Sequence, residues 1–254
     1  MRRVWPILAA VMVVAGAAMI AEPAWAQQLT LDFGAGGGGG NPNSTTLRVI
    51  QLIALTTLLS VAPSILVMVT SFTRIVIVLG FLRQALGTAS SPPNMVMVSL
   101  AMFLTAFIMA PTLEQSWNDG VQPYVEGQLD EVAAFEATAK PLQIFMLRHV
   151  RDRDLQLFMD LSRSPDVIKR EDAPLKALIP AFMISELRRS FEIGFLIFLP
   201  FIVIDMVIAS VLMSMGMMMI PPAMVALPFK LIFFVLVDGW YMVVGSLVQS
   251  FGGA

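Results

Sequence analysis

The sequence predicts an all-α, membrane-associated fold: hydrophobic helical hairpins made from four apolar helical segments, with a small helical domain outside the membrane. Three observations predict it. Of 254 residues, 57% are hydrophobic and only 13% charged, with a mean hydropathy of +0.79, which is too apolar for the surface of a single soluble domain. The apolar residues come in long blocks, and most charges gather in one interval, residues 114–192, which holds fourteen acidic and ten basic residues. A net charge of −2 and a pI near 5.4 exclude the clustered basic footprint of a nucleic-acid binder. The absence of cysteine excludes disulfides and thiolate metal sites.

Residues 1–26 open with Arg2 and Arg3, run apolar from Val4 to Ile20 and reach Ala24-Trp25-Ala26. This predicts a secretory signal peptide cleaved between Ala26 and Gln27, since the apolar run is short for a retained anchor. Residues 27–46 are read as a flexible tether. Its glycine run, Gly34 to Asn43, lacks the Gly-Lys-Ser/Thr ending of a phosphate-binding loop.

Residues 47–113 form the first hydrophobic hairpin. Leu47 to Leu86 is almost continuously apolar, yet one helix of that length would measure about 60 Å, roughly twice the hydrocarbon thickness of a bilayer. Two pieces broken near Pro63 fit better, with Arg74 turned toward protein, because a lipid-facing arginine is costly. A turn over Gly87 to Pro93 leads to a helix from Met95 to Met109 that ends at Pro111.

Residues 114–192 are expected to be a charged helical domain in the periplasm. Its clearest helix runs from Lys140 to Arg163, with Pro141 in the first turn and an apolar side that includes Phe145, Met146, Val150 and Leu157. His149, the only histidine, lies among Arg148, Arg151 and Arg153 and reads as a solvated surface residue.

Residues 193–254 carry only three charges, Asp205, Lys230 and Asp238, on two helices joined over Gly216 to Pro222. With the mature N-terminus outside, four crossings place the charged domain outside and the short loop with Arg83 inside, in keeping with the positive-inside rule.

Counting from the tip, an antiparallel hairpin puts Asp205 about 16 Å and Lys230 about 12 Å away, a gap a lysine side chain closes. Burying either charge alone is expensive, so the two are expected to pair, either to fix the hairpin's register or to act in gating. Asp238, eight residues after Lys230, would lie two turns along the same face as a competing partner within or between chains. The tip itself, Met213-Ser-Met-Gly-Met-Met-Met-Ile-Pro-Pro222, suits either ordinary filling of a helix end or a compressible apolar plug, since methionine is unbranched and polarizable. A thioether copper site would usually add His or Cys, and none is present there. No Walker, His-Glu-x-x-His or Gly-x-Ser-x-Gly motif occurs, so no enzyme, metal or cofactor is expected. A solute or ion transporter using Asp205 and Lys230 as a relay is the reading from another class.

Two stretches are specific enough to point to a family: Pro180-Ala-Phe-Met-Ile-Ser-Glu-Leu-Arg-Arg-Ser-Phe-Glu-Ile-Gly194 and Pro228-Phe-Lys-Leu-Ile-Phe-Phe-Val-Leu-Val-Asp-Gly-Trp240. With Thr70 to Leu79, the Ser91-Pro-Pro-Asn94 turn and the methionine-rich tip, they resemble the FliP/SctR family of type III secretion export-gate subunits over nearly all of the mature chain. Signature positions in this resemblance are Pro180, Glu186, Phe191, Gly194, Pro228, Gly239 and Trp240. Ser190, Met95 and the glycine-rich tether depart from the family's usual pattern.

The resemblance implies a non-enzymatic core subunit of the flagellar export gate in the bacterial inner membrane, at the flagellar basal body. It implies five copies forming a helical channel with FliQ and FliR, served by FlhB and FlhA, through which unfolded flagellar proteins pass. It also implies a channel gasket of Met217, Met218 and Met219 and a charged pair of Asp205 and Lys230. Much of the apolar surface would then pack against neighbouring subunits outside the bilayer plane, with membrane lipid covering the rest. The related injectisome gate shares these motifs but usually lacks a cleaved signal peptide, so the flagellar form is favoured.

Overall fold

A computed structural model describes residues 42–88, 90–162, 170–217 and 219–252. The signal peptide with its Ala26/Gln27 cleavage site, nearly all of the tether, and Met218 lie outside the described residues. The described chain is helical throughout, with α1 Pro42–Val69, α2 Phe72–Leu86, α3 Asn94–Ser116, α4 Gln122–Val125, α5 Glu131–His149, α6 Asp152–Leu161, α7 Leu175–Ser214, α8 Pro222–Leu236 and α9 Gly239–Gly252. It divides into two units, Met1–Leu66 and Val67–Ala254.

In the first unit, α1 runs through Pro63 rather than breaking there. The hydroxyls of Thr56, Thr57 and Ser60 donate to carbonyls three or four residues back at 2.6–3.0 Å, so an apolar helix carries them without bare polar groups.

In the second unit, the helix break expected at Pro63 falls instead at Thr70-Ser71, where Thr73 Oγ1 donates to the Val67 carbonyl at 3.0 Å. Hydroxyls at this point accept and donate where the helical ladder stops, which a lone proline does not do. Helix α2 ends at Gly87, whose φ of 77° is the left-handed conformation that favours glycine at a helix end. The turn that follows contains a cis Ser91–Pro92 bond.

Helix α3 passes through Pro111 instead of ending there and continues by a π-turn, Trp117–Val121, into α4. The π-turn lets Gly120 lie against α5. A Cβ at Gly120 would meet Thr138 Oγ1 at 2.1 Å and the Thr138 backbone nitrogen at 2.6 Å.

The expected helix from Lys140 to Arg163 is two helices. Helix α5 starts nine residues earlier, at Glu131, capped by Asp130, whose Oδ1 accepts from the Ala133 N–H at 3.1 Å, and it carries Pro141 in its interior. It stops at His149 because Val150 and Arg151 turn extended, and the Arg151 N–H donates to Ser185 Oγ on α7 at 3.1 Å. That tertiary hydrogen bond overrides the continuing apolar periodicity.

Helix α7 is a single element of 40 residues, about 60 Å long, and it runs unbroken across residues 192 and 193, from the charged interval into the apolar hairpin. It ends in a left-handed turn: the Met217 N–H reaches the Leu212 carbonyl at 3.0 Å and the Gly216 N–H reaches Met213 at 3.1 Å, with Gly216 at φ 74°. The returning arm is not one helix. It breaks at Val237-Asp238, with Asp238 at φ 50°, and α8 and α9 are bent by 63°.

Among the described residues, Asn94–Val125 and Leu175–Ser214 are each long and apolar enough to cross a membrane, and α8 with α9 passes the same test as one bent pair. The main core joins α2, α3, α5, α7 and α9 through residues such as Ile75, Leu79, Ala101, Met146, Phe182 and Leu247. A second cluster, Leu82, Ala85, Leu86, Phe201 and Phe234, lies where α2 and α8 meet α7.

The Gly120 contact gives a direct test. Gly120→Ala is expected to cost about 1–3 kcal/mol by overpacking against backbone that cannot move aside. Gly80→Ala, at a helical position with nothing within 4 Å of an added Cβ, is expected to stabilise slightly. Thermal unfolding of the detergent-purified protein compares the two.

Candidate functional site

Two ion pairs join one apolar helix of the second unit to another. The first joins Arg74 on α2 to Glu186 on α7, and both side chains are fully buried. Arg74 Nε donates to Glu186 Oε2 at 2.7 Å and Nη2 donates to Oε1 at 2.5 Å, the parallel fork geometry that guanidinium and carboxylate share. Nη1 is used as well, donating to Ser250 Oγ at 2.8 Å and to the Ser250 carbonyl at 3.3 Å on α9. The guanidinium also lies 3.7 Å from the centre of the Phe251 ring. Arg74 thus finds its partners within its own chain, and every nitrogen of the head group is occupied.

The other face of this cluster belongs to His149. It is buried, not solvated as its basic neighbours suggest, and its ring centre is 4.6 Å from that of Phe145 and 5.2 Å from that of Phe251. Nδ1 lies 2.8 Å from the Phe145 carbonyl, so the neutral ring carries its proton there. Burial pushes the imidazole below its ordinary pKa. The Phe145 carbonyl opposes that shift, and nearby Arg74 adds to it.

The second pair is Asp205 on α7 with Lys230 on α8. Lys230 Nζ donates to Asp205 Oδ2 at 2.7 Å and to the Ala85 carbonyl at 3.2 Å, near the end of α2. The lysine side chain is 8% exposed and the aspartate 40%, so the pair opens to the surface on its acidic side only. Asp205 Oδ1 is shielded and meets no donor among the described residues. Within this chain the carboxylate partner of Lys230 is Asp205, and Asp238 makes no ion pair with it. Asp238 sits exposed at the bend between α8 and α9, and its left-handed backbone removes it from the face it would share with Lys230 on one continuous helix.

The signature residues shape helix contacts. Gly194 lies under the Phe81 ring, where a Cβ would meet Phe81 Cδ2 at 2.3 Å, and Phe81 packs edge-on to Phe191 at 5.1 Å. Gly239 lies under Phe234, where a Cβ would meet the ring at 2.2 Å, and Trp240 packs edge-on to that ring at 5.5 Å. Pro180 and Pro228 stand inside α7 and α8. At the tip, Met217 is half-exposed and Met219 is 97% exposed.

Ser250, Phe251 and the Ala85 carbonyl were not legible as site groups. Ser250 lies 176 residues from Arg74, and the one available signal was the demand of Arg74 for polar partners. Among the described residues no group of three His, Asp or Glu side chains could hold a metal ion.

Long apolar helices with their buried Arg74 and Lys230 neutralised by carboxylates of the same chain, and with bare apolar flanks, define an all-helical membrane protein. The model of the FliP family matches residues 55–247. The chain is 55% identical over 244 residues to the flagellar biosynthetic protein FliP of Caulobacter vibrioides, covering 96% of this chain and 90% of that one. It is also 52% identical over 202 residues to the protein of that name from Bacillus subtilis (80% of this chain, 91% of that one) and 47% identical over 204 residues to that of Aquifex aeolicus (80% and 85%). The chain belongs to the FliP family.

Removing one member of the Arg74–Glu186 pair leaves a buried charge without its partner, so Arg74→Met or Glu186→Leu alone is expected to cost about 3–5 kcal/mol. Arg74→Met combined with Glu186→Leu is expected to recover much of that loss. Urea unfolding of the four proteins in detergent measures the cycle, and additive losses would rule out the coupling.

Proposed function

We propose that this protein is a subunit of the flagellar protein-export apparatus, a core component of the gate in the bacterial inner membrane at the flagellar basal body. In this reading several copies, five by family resemblance, surround a channel with FliQ and FliR. Unfolded flagellar proteins pass through it, and FlhB and FlhA serve the same apparatus. The observation that carries the proposal is the α7–α8 hairpin. It is tied at its base by Asp205 and Lys230, it bares methionines at its tip, and its flanks expose Phe195, Leu196, Val203, Met206 and Val207. Only 11% of the apolar window of α7 is buried within the chain, so lipid or other subunits must cover the rest. Family membership and relatives named flagellar biosynthetic proteins support the flagellar form over an injectisome gate.

Within that gate, Met217, Met218 and Met219 form the seal. Thioether side chains rotate freely and fill gaps of changing shape, which suits a constriction that must close on itself and also around a passing chain. The Asp205–Lys230 pair holds the two arms of the hairpin in register so that the tip is presented squarely.

Deleting the gene is expected to abolish flagella and flagellin secretion, with both restored by the intact gene. Deletion cells that swim normally and lose uptake of a solute would reject the export role. Replacing Met217, Met218 and Met219 together by alanine is expected to leave the complex assembled but raise ion leakage, read as growth inhibition in high salt or as dye entry. An unchanged seal would leave the methionines as ordinary helix-end filling. Charge reversal of Asp205 or Lys230 alone is expected to abolish secretion, and reversing both together to restore part of it.

A further inference from the structure

The chain's only histidine is packed into the contact that seats α9. Helix α9 is held to the core at its C-terminal end by Arg74, through the Ser250 hydroxyl at 2.8 Å, the Ser250 carbonyl at 3.3 Å and the face of Phe251 at 3.7 Å. Phe251 also stacks on Phe145 at 6.1 Å and meets His149 at 5.2 Å. Arg74 and His149 therefore share one aromatic ring.

A proton added to His149 would enter a closed space. The charged groups facing it are Arg74 from α2 and Glu186 from α7, and on its own side Arg148 precedes it and Arg151 follows. Both Glu186 oxygens are already engaged by Arg74, so no free carboxylate remains to receive an imidazolium. The Phe145 and Phe251 carbonyls and the charge of Glu186 favour the charged ring, but burial outweighs each of them and Arg74 adds repulsion. The imidazolium gains solvent most directly if α9, which contributes the covering Phe251 ring, lifts its end from the core.

We propose that His149, Phe251 and Arg74 form a proton-sensitive latch, in which protonation of His149 loosens the end of α9 from the core. The sign follows from the burial. The fold holds His149 neutral, below the ordinary value of about 6.5, so the unfolded or released state binds more protons. The seat is then firm above about pH 6.5 and weakens as pH falls below it.

The cysteine-free chain makes the test clean. A single Val248→Cys, at a half-buried position packed on the core, reports release of α9 by its rate of maleimide labelling in the detergent-purified full chain. The rate is measured with His149 present and with His149→Asn, whose amide keeps a donor for the Phe145 carbonyl. Taking the ratio of the two rates at each pH cancels the intrinsic pH dependence of the thiol. The ratio is expected to be near one at about pH 8 and to rise at least about threefold at about pH 5.5. Ser250→Ala, which removes one of the Arg74 contacts, is expected to speed labelling at both pH values. A ratio that stays flat or falls on acidification overturns the latch, as does a Ser250→Ala protein that labels no faster than its parent. If His149→Asn fails to give a monodisperse helical protein, His149→Gln takes its place under the same criteria.

Discussion

The second unit depends on the disposal of one charge. A guanidinium removed from water into an apolar core is among the most expensive groups a fold can bury, and a single carboxylate repays that only when geometry is good and the remaining donors are used. At Arg74 both conditions are met: two bonds to Glu186, two to Ser250 and one ring face. Because those groups come from α2, α7 and α9, satisfying the arginine sets the relative placement of three helices that are far apart in sequence. The apolar contacts around it, such as Ile75, Leu178 and Phe182, are interchangeable in a way that this set of bonds is not.

The lower part of the hairpin repeats the logic with less burial. Lys230 reaches across to Asp205 and takes the Ala85 carbonyl as a second acceptor, so the end of α2 is drawn into the same contact as α7 and α8. Between the two ion pairs, Gly194 and Phe81 close the α2–α7 interface by shape alone. Helices α2 and α7 are thus pinned by charge at both ends and fitted by a ring against a glycine in the middle, while the outward face of α7 stays bare for lipid or neighbouring subunits.

Much of this was legible in the sequence where the physics is local or the cost is extreme. The all-helical class followed from apolar blocks, and counting residues from Gly216 placed Asp205 beside Lys230, because a helical hairpin converts sequence distance into height. Long-range partners were not legible. Nothing near Arg74 names Ser250, and the arginines around His149 suggest a solvent-facing helix, whereas Phe145 and Phe251 take the histidine inside. Prolines misled in the other direction: Pro63, Pro111 and Pro141 all stand within helices, and the chain instead breaks at Thr70-Ser71, Val150-Arg151 and Asp238, where side-chain hydrogen bonds or an unusual backbone conformation take over.

Helix α7 has a mechanical consequence of its own. One uninterrupted rod carries Glu186 near one end, Asp205 further along and Met213 close to the tip, with no loop between them to absorb a displacement. A tilt imposed at the arginine clamp is therefore delivered to the methionines as leverage, multiplied by the length of the arm, and strain applied at the tip travels back to the clamp by the same route.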